Sequence, residues 1–139
     1  MIARLRAALL AAGRAGAAGA EELVAKVDLS ERRMTVHLDG ETLATWPVST
    51  ARDGKVTPTG TFTPDALSPD HRSSIHCGAP MPWSIFFHGD DAIHGTDQVE
   101  TLGDPASAGC VRLAPANARR LFELVRTVGK DATRIVIRP

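Results

Sequence analysis

Apolar and polar positions alternate most clearly over Arg33–Leu38, where Met34, Val36 and Leu38 interleave with Arg33, Thr35 and His37. A period of two is that of a half-buried strand, and it puts His37 on the polar face. Val24–Asp28 reads as a strand before it. Asp39-Gly40 is a hairpin signal leading into a further strand over Thr42–Val48. Trp83–His88 and Ala92–His94 read as partner strands around the turn Gly89-Asp90-Asp91. A helical period is clear over Pro115–Val128, where Ala118, Leu121, Leu124, Val125 and Val128 form an apolar stripe. Proline suits the first turn of that helix, and Gly129 is a natural stop. Arg119, Arg120 and Glu123 fall on its solvated side. Thr133–Ile137, rich in β-branched residues, predicts a closing strand.

The segments between these elements carry less pattern. Arg52-Asp53-Gly54-Lys55 is a polar loop. Thr57–Phe62 contains Pro58 and Gly60 and predicts a shaped loop leading into a strand. Pro64–Pro82 is rich in Pro, Ser, Asp and Gly without periodicity and predicts a long loop, a feature that is often functional. Met1–Ala20 is alanine-rich, with Arg4 and Arg6 before an apolar run and Ala18-Gly19-Ala20 resembling a small-residue cleavage site. It reads as an export signal or as an amphipathic or disordered leader, and Arg14 interrupts its apolar run. Residues 21–139 are then the domain proper. No run approaches the roughly 20 apolar residues of a spanning helix, so no stable membrane insertion is expected.

Composition narrows the picture. A chain of 139 residues fits one domain, and 43% hydrophobic residues suffice for a core. Aromatics are only 4%, so that core is built from Val, Leu, Ile and Ala. Sixteen basic and sixteen acidic residues give zero net charge, which argues against a nucleic-acid partner. The two cysteines, Cys77 and Cys110, make neither a disulfide framework nor a repeated Cys-x-x-Cys metal spacing.

The candidate chemistry lies between Ala92 and Leu113. His94 ends a predicted strand, and Cys110 follows Gly109 after a loop long enough to return the chain to the same cleft. A free thiol titrates at about 8.5, and a neighbouring imidazolium lowers that to between roughly 3.5 and 7.5. The expectation is therefore a Cys110 thiolate activated by His94, with the amides of Gly109 and Cys110 as oxyanion donors. Ser107 can bond the backbone of its own turn or face substrate. Arg112, two residues after Cys110, shares its face if the run is extended. It can bind a substrate carboxylate, raise the positive potential near sulfur, or form a structural ion pair. A histidine and a cysteine that never meet would be ordinary core residues. A zinc site from His76, Cys77, His94 and Cys110 has suitable ligand types but no usual spacing.

Ile93-His94-Gly95 followed by Ser107-Ala108-Gly109-Cys110-Val111-Arg112-Leu113 resembles the signature of the L,D-transpeptidase (YkuD) family: a histidine, a spacer, then Ser/Thr-His-Gly-Cys-hydrophobic-Arg/Asn. Thr57-Pro58-Thr59-Gly60-Thr61-Phe62 is similar to that family's Thr-Pro-x-Gly-x-Phe segment. Ala79–Phe87 resembles the stretch leading into its histidine. Ala108 departs from the pattern, standing where the family usually has a second histidine.

The resemblance implies a mainly β fold, a mixed-sheet sandwich or barrel-like domain with one helix. It implies cysteine acyl transfer on peptidoglycan stem peptides, outside the cytoplasmic membrane, with no metal or cofactor. The Gly95 carbonyl would orient the imidazole, and the Pro64–Pro82 segment would border the substrate groove. His71, Arg72, Ser73 and Ser74 become candidates for substrate contact. Hydrolysis of the same thioester, or wall binding without catalysis, are the alternatives. Cys77, if close to Cys110, could bridge it in an oxidising compartment.

Overall fold

The computed structural model describes residues 22–73 and 78–139. The first three strands are an antiparallel meander: β1 (Leu23–Asp28), β2 (Arg33–Leu38) and β3 (Glu41–Pro47). The β2–β3 hairpin closes on Asp39 and Gly40 with φ of 52° and 84°. Two positive φ values are what a tight hairpin with the strand's own twist requires, and Asp-Gly supplies them at low cost. Met34 and Val36 point inward, as the alternation predicts.

The last strand, β11 (Thr133–Arg138), enters beside β1 in parallel register, with Thr133 opposite Leu23 and Arg138 opposite Asp28. Its other edge pairs with the short antiparallel β5 (Gly60–Phe62). The five-stranded sheet therefore runs β3-β2-β1-β11-β5. The closing strand lies inside the sheet, and Ile135 and Ile137 are buried accordingly.

A second sheet holds His94. It is built from β6 (Ala66–Arg72), β7 (Pro80–His88), β8 (Asp91–Gly95) and β10 (Val111–Leu113), in the order β10-β8-β7-β6. β6 corrects the expectation of a long loop over Pro64–Pro82. Ala66 pairs with Phe86, and the antiparallel register runs on to Arg72 opposite Pro80. An edge strand needs only one partner, so Pro69, which has no N–H to donate, is tolerated there. No β6 residue is fully buried, hence no apolar alternation marks it.

A third pair, β4 (Thr50–Ala51) with β9 (Pro105–Ser107), is parallel and small. The helix α1 (Pro115–Val128) has the predicted bounds, and Ala118, Leu121, Phe122 and Val125 are its buried residues. The stripe read from sequence omitted Phe122, whose ring meets that of Trp83 at 5.3 Å between centroids. Leu23, Val27, Met34, Ile85, Ile93, Val111, Leu121 and Ile135 belong to one core cluster, so both large sheets and the helix share a single apolar interior. Among the described residues the fold is mainly β with mixed sheets and one α-helix, as expected. The Met1–Ala20 leader lies outside the described residues.

Candidate active site

Parallel pairing of β8 with β10 sets Val111 beside Ile93 and Arg112 beside His94. Side chains alternate along each strand. Ile93 and Val111 therefore enter the core, while His94 and Arg112 share the opposite face. Cys110 stands one residue before β10, and its sulfur comes back to the β8 chain. The Ala92 N–H donates to Sγ at 3.4 Å, and Sγ lies 3.8 Å from the Asp90 carbonyl. His94, Ser107, Ala108, Cys110 and Arg112 line one cleft of ≈ 420 Å³. Ser73, just after β6, and Met81, on β7, form another wall, and Arg52 reaches the same space. No hydrogen bond joins Sγ directly to the imidazole among the described residues; they face a common cleft.

His94 is 5% exposed. Its Nδ1 lies 2.6 Å from the Gly95 carbonyl oxygen. A carbonyl can only accept, so in the neutral ring Nδ1 carries the proton and Nε2 keeps the lone pair. Burial lowers the His94 pKa from 6.5 to about 4, against the Gly95 carbonyl and with Arg112 and His71 adding to the fall. Burial also pushes the Cys110 thiol up. The Ala92 N–H and Arg112 oppose that rise, and the carboxylates of Asp91 and Asp90 reinforce it. Both shifts favour a thiol and a neutral imidazole over the expected thiolate held by an imidazolium. Burying both groups disfavours both charges, and no close ion pair compensates. The buried imidazole is a base waiting for a proton.

The Ser107–Cys110 turn explains its own residues. Gly109 has φ of 148°, and a Cβ there would come within 2.6 Å of Asp91 Oδ1 and 3.0 Å of the Val56 carbonyl. Only glycine fits both demands. Ser107 Oγ donates to the Cys110 carbonyl at 2.6 Å and accepts from the Gly109 N–H at 3.1 Å. The hydroxyl is thereby engaged within the turn, and so is the Gly109 amide. Of the two expected oxyanion donors, the Cys110 amide is the one this arrangement leaves as a candidate.

A strap of chain holds the turn on both sides. Ser49 and Arg112 exchange backbone hydrogen bonds of 3.1 and 2.9 Å, and the Arg52 N–H donates to the Ser107 carbonyl at 2.9 Å. Thr57, 4% exposed, accepts the Ala51 N–H on its Oγ1 at 3.0 Å. The Thr57–Phe62 segment thus begins by fixing the strap and ends as β5. Gly95 is fixed by α1: a Cβ there would meet Pro115 Cα and Pro82 Cγ at 3.3 Å and Ala118 Cβ at 3.4 Å.

The remaining candidates divide. Arg112 donates through Nη1 to Gln98 Oε1 at 3.3 Å. The ion pairs among the described residues are Arg33–Glu31, His88–Asp91 and Arg126–Glu123, so Arg112 is not held in a structural ion pair. Ser73 is buried on the cleft wall, its N–H bonded to the Ala79 carbonyl at 2.9 Å. His71 does not line the cleft; its ring packs edge-on against Phe86 at 4.9 Å. Arg72 turns to the Gly78 carbonyl at 3.2 Å. Ser74, His76 and Cys77 lie outside the described residues, and with them half of the zinc reading and the Cys77 bridge. Cys110 itself is a free thiol. Among the described residues no group of three His, Cys, Asp or Glu side chains is arranged to hold a metal ion.

Two residues around the Ser107–Cys110 turn have no signal in the spacing. Arg52 arrives through the β4–β9 pairing, and Asp91 through the β7–β8 turn. Arg52 sits in a polar loop and Asp91 opens β8 after a polar turn, and that composition predicts only solvation.

Comparison with known proteins fits this geometry. A family model described as the L,D-transpeptidase catalytic domain, YkuD, matches residues 22–137. Comparison with curated proteins finds no significant match. Among solved structures, an L,D-transpeptidase from Mycobacterium smegmatis is 23% identical with a TM-score of 0.76, over 94% of this chain and 61% of that one. One from Stackebrandtia nassauensis is 21% identical with a TM-score of 0.74, over 85% and 56%. L,D-transpeptidase 3 from Mycobacterium tuberculosis, solved with a faropenem-derived adduct, is 16% identical with a TM-score of 0.73, over 94% and 63%. At these identities the likeness is one of fold, and the chain spans about three-fifths of those proteins' length. With the family model running over nearly all the described residues, the chain belongs to the YkuD family of L,D-transpeptidase catalytic domains.

Proposed function

We propose that this chain is a cysteine-dependent L,D-transpeptidase that acts on peptidoglycan stem peptides in the cell envelope. One observation carries the reading: a free thiol and a buried imidazole, the latter fixed by the Gly95 carbonyl, face one cleft in a chain of this family. His94 Nε2 takes the Cys110 proton as sulfur attacks the carbonyl of the diamino-acid residue before a terminal D-alanine. The Cys110 amide stabilises the oxyanion. The C–N bond breaks, His94 returns the proton to the departing D-alanine amine, and a thioester remains. An acceptor amine then gives its proton to His94 and attacks the thioester. The new amide forms, and sulfur leaves with the proton. Neutral imidazole and neutral thiol are the right starting states for this exchange, which needs no metal or cofactor.

The fold shared with the faropenem-modified protein suggests a β-lactam probe. Intact-mass analysis after incubation with a carbapenem or a stem tetrapeptide should show one covalent adduct on the wild type and none on Cys110→Ala. Acylation of the alanine variant would exclude Cys110 as nucleophile. Product analysis with and without an acceptor peptide separates transfer from hydrolysis. Binding without an adduct would instead favour a wall-binding domain, in which Ala108 marks lost activity.

A further inference from the structure

We infer that Arg52 reads a second carboxylate on the acyl donor, a proposal that rests on the transfer reaction above. Two arginines, Arg52 and Arg112, line the cleft. Among the described residues neither is paired with a carboxylate, although Asp97 lines the same cleft. Arg112 is partly satisfied by Gln98, while Arg52 is exposed. The root of Arg52 is not free to wander. Its N–H is bonded to the Ser107 carbonyl, and its own carbonyl accepts the Lys55 N–H at 2.9 Å. Three residues earlier, Ser49 is locked to Arg112 by two backbone hydrogen bonds. One strap thus holds Arg52 in register with both ends of the nucleophile turn.

With His94 neutral, the ionised groups on the cleft wall are two arginines and one aspartate, a net positive charge of one. A planar guanidinium fork matches a carboxylate in two parallel hydrogen bonds. Arg112, next to the thiol, suits the terminal carboxylate of the departing residue. Arg52, on the strap, then suits a carboxylate on the side chain of the acyl residue. Donors that carry that group as a free acid are preferred, and amidation removes the preference.

The test compares two tetrapeptide donors that differ only in whether the side-chain carboxylate of the acyl residue is free or a carboxamide. Wild-type acylation, followed as kcat/KM, should favour the free acid by about tenfold, the scale of one charge-assisted hydrogen bond. Arg52→Gln should bring the ratio near one by slowing the acid donor alone, and Arg52→Lys should restore part of it. An unchanged ratio, or equal slowing of both donors, overturns the assignment while leaving the transfer reaction intact. A wild type that forms no adduct with either donor or with a carbapenem overturns both together.

Discussion

His94 owes its chemistry to burial more than to charge. Its pKa near 4 keeps Nε2 unprotonated through the neutral range, so the ring is a ready base and a poor electrostatic partner for sulfur. Acylation should therefore fall as pH drops through about 4 and stay level up to neutrality, a profile that a pH series of adduct formation will show. An acid limb near the ordinary histidine value would mean that the imidazole is less buried than described. Replacing it with His94→Gln should slow acylation by about 10² to 10⁴, the usual contribution of a positioned base. Gly109 is as constrained for a different reason. Gly109→Ala forces a Cβ toward Asp91 and the Val56 carbonyl and should cost about 1 to 3 kcal/mol, read by denaturant unfolding, with acylation slowed beyond that loss of fold.

The strands and helix differ in how far they announce themselves. The β2–β3 hairpin is legible because one face is buried and Asp39-Gly40 supplies its turn. The helix is legible because its stripe has the right period, although Phe122 hides between Leu121 and the charged Glu123. β6 is illegible because an edge strand with no fully buried residue imposes no pattern, and Pro69 argues against it. His94 and Cys110 can be paired from sequence only through motif likeness; what brings them to one face is the parallel β8–β10 register. Arg52 depends on the β4–β9 pairing of short segments far apart in the chain, and Asp91 meets Gly109 only because β10 returns beside β8, neither of which a local period encodes. The helix offers a test of the shared core: Phe122→Ala removes a ring packed on Trp83 and should cost about 3 to 5 kcal/mol in chemical denaturation. A cost below about 1 kcal/mol would contradict that packing.

Taken whole, the molecule builds one core from both large sheets and carries His94 and Arg112 on the outer face of one of them, with α1 pressed against Gly95 at the strand end that carries His94. Stability and chemistry are nevertheless linked through pH. Because the folded pKa of His94 lies below its ordinary 6.5, the unfolded chain binds the proton first. The stability tied to a neutral His94 is full above about 6.5 and is lost as pH falls toward 4. The loss should be on the order of 3 kcal/mol, measurable as a falling denaturation midpoint that His94→Gln flattens. The central claim, that a thiol and a buried imidazole from distant parts of the chain act together on one acyl group, has a shorter route to judgement. Intact mass spectrometry after incubation with a stem tetrapeptide should find the wild type heavier by one acyl fragment that has lost D-alanine, the His94→Gln protein acylated far more slowly, and the Cys110→Ala protein unchanged. A wild type that stays unmodified, or an alanine variant that gains the same mass, would contradict it.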